Sequence, residues 1–295
     1  MSSPAFDVIV CGSLHLDIMV FAPSLPRPDE TTVGTRWAMQ CGGKGGNQAV
    51  MAARAGARVA MIGRVGADDF GDRLRAHLAA HNVDARAVDV DASMGSGMST
   101  AIVRDDGEYG AVIVSGANLR LDPADIGDRW RSAGGAQTLV LQNEIPEAAN
   151  IAAAIVARAS GAKVILNAAP ARSMSVELLD LVDVLVVNRV EAEMLSGVAV
   201  SDPATARDAL PKLGADRRDV IVTLGGAGLV VQSRGAEPKG IPPIPVDVVS
   251  THGAGDCFVG ALAYRLASGA PLIEAAAAAN EAAAAHVSAI PESSR

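Results

Sequence analysis

The chain has 295 residues, of which 49% are hydrophobic and 3% aromatic, so a large core must be built from aliphatic side chains. The formal net charge of −8 argues against a broad basic surface, and we expect no nucleic-acid partner. No basic segment precedes an apolar run, and no stretch of about 18 uncharged apolar residues occurs, so we expect neither a secretory signal nor a membrane span. Three cysteines without metal-ligand spacing predict reduced thiols and a cytoplasmic location.

Short apolar runs alternate along the chain with segments of helical periodicity. Each run is nearly continuous in aliphatic residues, as expected for parallel strands that are buried on both faces. The predicted strands are 7–13, 58–66, 138–144, 163–170, 183–188 and 219–225. Helical patterns between them include 47–56, 71–82 and 147–160. The alternation predicts a doubly wound α/β fold, with one mostly parallel sheet flanked by helices, in a single domain over residues 1–295.

Two segments break this alternation. Residues 14–37 contain three prolines and no helical period, and residues 99–117 hold two β-rich runs around Asp105, Asp106 and Gly107. Turn residues between two such runs predict a hairpin. We interpret the two segments as a small β-flap beside the main sheet.

The stretch THGAGD, residues 251–256, places two glycines before a predicted helix and a carboxylate in its first turn. The first amides of a helix lack intrahelical partners, and with the helix dipole they form an anion pocket suited to phosphate. An aspartate there repels a phosphate that is merely bound, but it can take a proton from a hydroxyl that attacks phosphorus. We interpret Asp256 as a general base and the amides of Gly253, Ala254 and Gly255 as charge stabilisers. A glycine turn with an acidic cap is the simpler alternative.

Three further stretches carry polar groups at predicted helix starts or strand ends. CGGKGGNQAV, residues 41–50, lacks the P-loop spacing, but its glycines allow backbone contact with a polar ligand, while Lys44 and Asn47 offer donors. After the first strand, Asp17 can accept hydrogen bonds from two vicinal hydroxyls, or it is an exposed loop acid. After another strand, Asn188 and Glu191 can face a Mg²⁺–phosphate group, or they merely begin a helix.

Nine short stretches follow one another in chain order: GSLHLD, GGKGGNQA, STAIV, GAN, LQNE, NAAPAR, NRVEAE, TLGGAG and THGAGD. Together they resemble the ribokinase branch of the PfkB-type carbohydrate kinases. The resemblance runs along nearly the whole chain. It implies a ribokinase-like fold with a β-flap lid, often shared across a homodimer. It also implies transfer of the γ-phosphoryl group of Mg-ATP to a primary hydroxyl of a pentose or related sugar. A nucleoside kinase of the same family, or a non-catalytic sugar-binding protein on a kinase scaffold, are the alternatives.

The resemblance also implies roles for individual residues. Asp256 would be the catalytic base, and Gly253, Ala254 and Gly255 the anion hole. The sugar would contact His15, Asp17, Gly43, Lys44, Asn47 and Glu144. The nucleotide would be bordered by Asn188, Thr223, Gly225, Gly228 and Asn280. Glu191 would hold Mg²⁺ through water.

Three features depart from the family pattern. Ser250 stands where the family usually has the aspartate that helps bind an activating monovalent cation, and the chain ends at SAIPESSR, where ribokinases continue with a segment that completes the same site. We therefore expect little activation by K⁺. His15 stands where ribokinases carry asparagine, so the sugar can differ from ribose.

The three cysteines adjoin predicted site loops. Cys11 precedes GS, Cys41 precedes GGKGG, and Cys257 follows the predicted base. We expect alkylation of Cys41 or Cys257 to inhibit the protein and substrate to protect it. The alternative is that these cysteines are small buried hydrophobic residues.

Overall fold

A computed structural model of the protein describes residues 4–104 and 108–289, and it contains two sheets. The strands are β1 (Phe6–Cys11), β2 (His15–Phe21), β3 (Arg36–Gly42), β4 (Val59–Gly66), β5 (Val83–Asp91), β6 (Gly97–Val103), β7 (Tyr109–Val114), β8 (Ala136–Gln142), β9 (Lys163–Asn167), β10 (Val184–Asn188), β11 (Asp219–Thr223), β12 (Leu229–Gln232) and β13 (Lys239–Ile241). The α-helices are α1 (Lys44–Arg54), α2 (Asp69–Ala80), α3 (Pro123–Ala133), α4 (Glu147–Ala159), α5 (Val176–Asp180), α6 (Arg189–Ser196), α7 (Pro203–Ala209), α8 (Ala254–Ala267) and α9 (Leu272–Ser288). Short 3-10 helices span Gly116–Arg120 and Gly225–Ala227.

The large sheet has the strand order β13-β12-β11-β10-β9-β8-β1-β4-β5. Its neighbours from β11 to β5 are parallel, and only the edge strands β12 and β13 pair in antiparallel fashion. The predicted α/β class is therefore confirmed, with strand ends shifted by a few residues. The strand predicted at 138–144 ends at Gln142, which leaves Glu144 in the loop that follows.

Alternate residues of each central strand feed two separate cores. In β1, Ile9 and Cys11 pack in the core beneath α3 and α4, whereas Val8 and Val10 pack in the core beneath α1, α2, α8 and α9. Both faces of the sheet are thus covered, which explains why the strands read as continuous apolar runs. Within the described residues, no helix combines the length and apolar character that crossing a bilayer requires.

The small sheet has the order β3-β2-β6-β7, in which β2 and β6 are parallel and the outer pairs are antiparallel. Strands β2 and β7 and most of β6 fall in the two segments predicted to form a flap, at 14–37 and 99–117. Most of β3 lies outside them, since it spans Arg36–Gly42. The antiparallel pairing of Val103 with Tyr109 agrees with the predicted hairpin, whose turn at 105–107 lies outside the described residues. That this sheet acts as a lid stays a prediction.

Helices α1 and α8 cross in very close contact at Gly260. A Cβ atom there would lie 2.6 Å from the Ala52 nitrogen and 2.9 Å from the Gln48 carbonyl oxygen. Backbone cannot give way as a flexible side chain does, so only glycine fits at this crossing. The contact sets the distance between the first turns of the two helices, which carry Asn47 and Asp256.

We expect Gly260→Ala to destabilise the protein by about 1–3 kcal/mol, because the added methyl group forces the two helix backbones apart. Urea unfolding followed by circular dichroism measures this change. Gly127→Ala in α3 is the matched control, since its Cβ would meet only side-chain atoms, the end of Arg131 at 3.3 Å and Val156 Cγ1 at 3.6 Å. The control should be neutral or stabilising by up to about 1 kcal/mol. Equal stability of the two variants would contradict the packing argument.

Candidate active site

The carboxyl ends of the parallel strands bring polar residues together that are far apart in the sequence. Ser13 follows β1, Glu144 follows β8, and Asn167, Asn188 and Thr223 are the last residues of β9, β10 and β11. In an open parallel sheet all of these positions share one edge, which is where such folds bind ligands. The first turns of α1, α6 and α8 supply further polar groups there.

Asp256 lies in the first turn of α8 and is only 9% exposed. Its two carboxylate oxygens accept hydrogen bonds from Asn47 Nδ2 at 3.0 Å and Gln48 Nε2 at 2.9 Å. Burial raises the pKa of the Asp256 carboxyl above its ordinary value, and the Lys44 charge and the two amides only partly oppose this shift. The result is an oriented carboxylate whose affinity for a proton is increased.

A buried chain of side-chain amides holds Gln48 in place behind Asp256. Gln142 Nε2 donates to Gln48 Oε1 at 2.8 Å, and Gln48 Nε2 donates to Asn167 Oδ1 at 3.0 Å. Because Oε1 of Gln48 is occupied by a donor, its nitrogen faces the carboxylate. Sequence reasoning missed these three residues, although Gln142 and Asn167 each end an apolar strand, which was the available signal.

Glu144 connects the loop after β1 to the start of α1. Its Oε2 accepts hydrogen bonds from Ser13 Oγ at 2.5 Å and from the backbone nitrogen of Lys44 at 2.9 Å, and His15 Nδ1 lies 3.9 Å away. The His15 ring is buried, and its Nε2 lies 3.3 Å from Asn118 Nδ2. Ser13 and Asn118 lie in the stretches GSLHLD and GAN, but neither residue was assigned a role in the site from the sequence alone.

Asp17 belongs to the small sheet, in β2. Its Oδ1 accepts a hydrogen bond from Ser99 Oγ at 2.5 Å, in the neighbouring strand β6. A Cβ at Gly42 would lie 2.2 Å from Asp17 Oδ2, so the glycine leaves room for this carboxylate. Any ligand that Asp17 holds would therefore contact the small sheet.

The two glycine-rich stretches differ in what surrounds them. A Cβ at Gly43 would lie 2.8 Å from the His15 nitrogen, and one at Gly45 would lie 2.6 Å from the Ser13 nitrogen. These glycines let α1 begin directly on the loop after β1, so chain packing accounts for them without a ligand. Contact of Gly43 with a sugar stays a prediction. A Cβ at Gly255, by contrast, would meet no described atom within 4 Å, and this helix start is open to a ligand.

Asn188 and Glu191 form a reciprocal capping box at the start of α6. The Glu191 nitrogen donates to Asn188 Oδ1, and the Asn188 nitrogen donates to Glu191 Oε2, both at 2.9 Å. Burial raises the pKa of Glu191, and the backbone hydrogen bond from Asn188 and the Lys44 charge oppose that shift, while the Asp256 charge adds to it. Lys44 therefore lies close enough to influence both carboxylates.

No cluster of three or more His, Cys, Asp or Glu side chains suited to a metal occurs in the described part of the chain. A Mg²⁺ ion commonly retains waters and binds through one or two carboxylates and the phosphates of a substrate. Glu191 offers one carboxylate, which suits this mode of binding. One carboxylate is too few for a site in which the protein supplies every ligand of the metal.

The predicted nucleotide-binding residues fall into two groups. Thr223 pairs with Asn188 in the sheet, and Gly225 follows it in the turn with a φ of 57°. The other two contact the chain itself: a Cβ at Gly228 would lie 2.2 Å from the Ile241 oxygen, and Asn280 Nδ2 donates to the Pro242 oxygen at 3.0 Å. The first group lies at the same sheet edge as Asp256, and contact of any of the four with nucleotide stays a prediction.

The cysteines are poorly suited to rapid alkylation. Burial raises the pKa of Cys11 to about 12 and that of Cys257 to about 11, and it also raises the pKa of Cys41. Cys257 Sγ lies 3.5 Å from the Ala282 oxygen, and Cys41 is half-buried. Because the thiolate is the reacting form, all three should react slowly, and Cys41 remains the best candidate for the predicted inhibition.

An oriented buried carboxylate beside an open helix start, at the edge of a parallel sheet, is an arrangement suited to an α/β phosphotransferase. The chain matches the pfkB family carbohydrate kinases over residues 5–290. It is 38% identical to ribokinase of Mus musculus over 266 residues, covering 89% of this chain and 82% of that protein. It is 32% identical to deoxyribokinase of Salmonella typhimurium over 263 residues, covering 88% and 85%.

Among solved structures, ribokinase of Arabidopsis thaliana complexed with ribose and ATP superimposes with a TM-score of 0.90 at 29% identity, covering 98% of this chain and 94% of that one. The chain belongs to the pfkB family of carbohydrate kinases. It is a phosphotransferase with an alcohol group as acceptor, as the sequence motifs predicted.

We expect Gln48→Leu to move the acid limb of the pH–rate profile to higher pH. The Gln48 hydrogen bond stabilises the charged form of Asp256 and lowers its pKa, so its loss raises that pKa and protonates the base at a higher pH. Measuring kcat/KM for phosphoryl transfer between about pH 5 and pH 9 reports this shift.

The control is Gln232→Leu, in β12, whose amide donates to the Ala236 oxygen at 2.9 Å on the exposed surface. Its acid limb should coincide with that of the unmodified protein. An unshifted limb in Gln48→Leu would contradict the assigned role of Gln48.

Proposed function

We propose that the protein transfers the γ-phosphoryl group of ATP to a primary hydroxyl of a pentose. The observation that carries this proposal is the carboxylate of Asp256, held by Asn47 and Gln48 at the open start of α8. The substrate class is supported by the curated relatives, which are named ribokinase and deoxyribokinase, and by the ribose and ATP in the Arabidopsis thaliana structure.

Asp256 acts as the general base in this proposal. One carboxylate oxygen takes the proton of the acceptor hydroxyl as that hydroxyl attacks the γ-phosphorus, and the raised pKa of Asp256 makes it a stronger base than an exposed aspartate. The hydrogen bonds from Asn47 and Gln48 keep the carboxylate from rotating. Because the carboxylate is already oriented in the folded protein, the reaction does not have to include the entropy cost of orienting a free base.

The charge of the transferring phosphoryl group is stabilised from two sides. The Gly253 and Gly255 amides donate hydrogen bonds to it, aided by the dipole of α8. The Ala254 amide, expected to take part, already donates to the Thr251 oxygen at 3.3 Å. Lys44 adds a positive charge that acts on both Asp256 and Glu191. When bound, Mg²⁺ neutralises part of the phosphate charge, and Glu191 and Asn188 would hold it through water.

The sugar is held between the large sheet and the small sheet. Glu144 has one carboxylate oxygen bonded within the protein, and the other accepts from a sugar hydroxyl, while Asp17 accepts from hydroxyls on the side of the small sheet. Closing the small sheet over the sugar excludes water and limits ATP hydrolysis. His15 Nδ1 lies 3.9 Å from Glu144 Oε2. An imidazole here is larger than the side chain of asparagine, so the sugar that fits can differ from ribose.

The small sheet also carries the surface on which we propose that a homodimer forms. Trp37, Val112, Ile113 and Val114 expose between 51% and 65% of their surface there. Val112, Ile113 and Val114 lie in the edge strand β7, and Trp37 lies in β3 at the opposite edge. Exposed apolar side chains on edge strands are typical of a surface that a partner covers. The three free cysteines favour a cytoplasmic location.

The test of this function is ADP release with Mg-ATP and a panel of ribose, 2-deoxyribose, hexoses and nucleosides. We expect turnover with a pentose. Preference for deoxyribose over ribose would identify His15 as the first specificity residue to mutate. Turnover only with a nucleoside would show that the protein is a nucleoside kinase. Absence of ADP release with every acceptor would favour a sugar-binding protein without catalysis.

We expect Asp256→Asn to lower kcat by roughly 10²–10⁴-fold, because a general base contributes about that factor. The affinity for the sugar, measured by calorimetry, should change little, since the amide keeps the size of the carboxylate. Near-normal turnover would remove Asp256 from the role of base.

We expect K⁺ to change kcat/KM by less than about twofold, because neutral Ser250 offers no carboxylate to a cation beside the anion hole. The measurement compares rates in tetramethylammonium and potassium buffers of equal ionic strength. Strong, saturable activation would show that other groups supply the cation site.

A further inference from the structure

The loop before α8 is attached to the last turn of α9. The backbone nitrogens of Val249 and Ser250 donate to the Val287 oxygen at 2.8 Å and 3.1 Å. In the other direction, Nε2 of the His286 side chain lies 2.9 Å from the His252 oxygen. A carbonyl oxygen only accepts, so this contact is a hydrogen bond donated by the imidazole.

The acceptor carbonyl belongs to the peptide unit that begins the anion hole. The peptide between His252 and Gly253 is trans, so its C=O and N–H point in opposite directions. The hydrogen bond from His286 therefore sets the direction of the Gly253 N–H, which faces away from α9. Within residues 4–104 and 108–289 this N–H donates to no acceptor, and it is free to bind a ligand.

The fit of the ring against Gly253 is close. A Cβ at Gly253 would lie 3.2 Å from His286 Nε2, and the φ of 73° at Gly253 is one that side chains rarely adopt. Glycine at position 253 therefore suits both this backbone conformation and the space beside the ring. Donation to the carbonyl also polarises the peptide and strengthens its N–H as a donor.

We propose that His286 is a positioning residue of the anion hole, which aims the Gly253 N–H at the transferring phosphoryl group through the His252 carbonyl. This inference rests on the proposed function, and it adds a residue from the far end of α9 to the catalytic apparatus. His286 itself does not touch the substrate.

The experiment compares His286→Leu with His286→Gln. Leucine removes the donor, whereas the glutamine Nε2 is as many bonds from Cβ as the histidine Nε2 and retains an N–H. We expect His286→Leu to lower kcat by about 10–100-fold, less than or comparable to the loss of an anion-hole donor. KM for the sugar should stay within about twofold, and His286→Gln should recover most of the lost kcat.

The matched control is His81→Leu, because His81 Nδ1 also lies 2.9 Å from a carbonyl oxygen, that of His77, at the end of α2. It should keep the kcat of the unmodified protein. Thermal unfolding of each variant separates a loss of rate from a loss of fold.

An unchanged kcat in His286→Leu, or an equal loss in His286→Gln, would overturn the positioning role while leaving the kinase assignment intact. A recovered kcat in His286→Gln at equal thermal stability supports it. Absence of turnover by the unmodified protein with every acceptor would overturn the proposed function, and with it this role of His286.

Discussion

The burial of one charged carboxylate is the constraint on which the site depends. A carboxylate taken out of water requires hydrogen bonds and a nearby positive charge, and Asp256 receives them from Asn47, Gln48 and Lys44. All three residues lie in the first turns of α1, so Asp256 keeps these partners only while α1 and α8 stay in contact. Gly260 permits that contact from one side.

The same constraint extends to the sheet. Gln48 keeps its orientation because Gln142 and Asn167, at the ends of β8 and β9, bond to its amide. The start of α1 is fixed because Gly45 allows it to rest on the loop after β1. A parallel sheet brings these strand ends to one edge, and the helix starts then meet them there. Packing of the core and orientation of the base are therefore parts of a single arrangement.

Much of the fold could be predicted from the sequence, because strands buried on both faces leave continuous apolar runs. The position of Asp256 was also predictable, since THGAGD precedes an apolar run and places the carboxylate in the first turn of a helix. Its role as general base stays a proposal. Gln142 and Asn167 were not, because each reads as an ordinary strand end until its partner across the sheet is known. The glycine runs show the same limit: a single sequence does not distinguish Gly45, which packs against backbone, from Gly255, which faces open space. His286 was hidden for a further reason, since its partner is a backbone carbonyl that has no signature in the sequence.

The structural contact of Glu144 bears on how this position can change during evolution. Helix α1 has no side-chain cap at Gly43 and no acidic residue in its first turn, and the Lys44 amide donates instead to Glu144, from a loop 100 positions away. This carboxylate thus satisfies an orphan amide of a core helix, in addition to the contact with a sugar hydroxyl that we propose for it. A descendant that lost its catalysis would still be stabilised by an acceptor at this position, because loss of a helix cap costs about 1 kcal/mol. Retention of this glutamate in a relative is therefore a mark of shared architecture, and it is not by itself a sign that the relative binds a sugar.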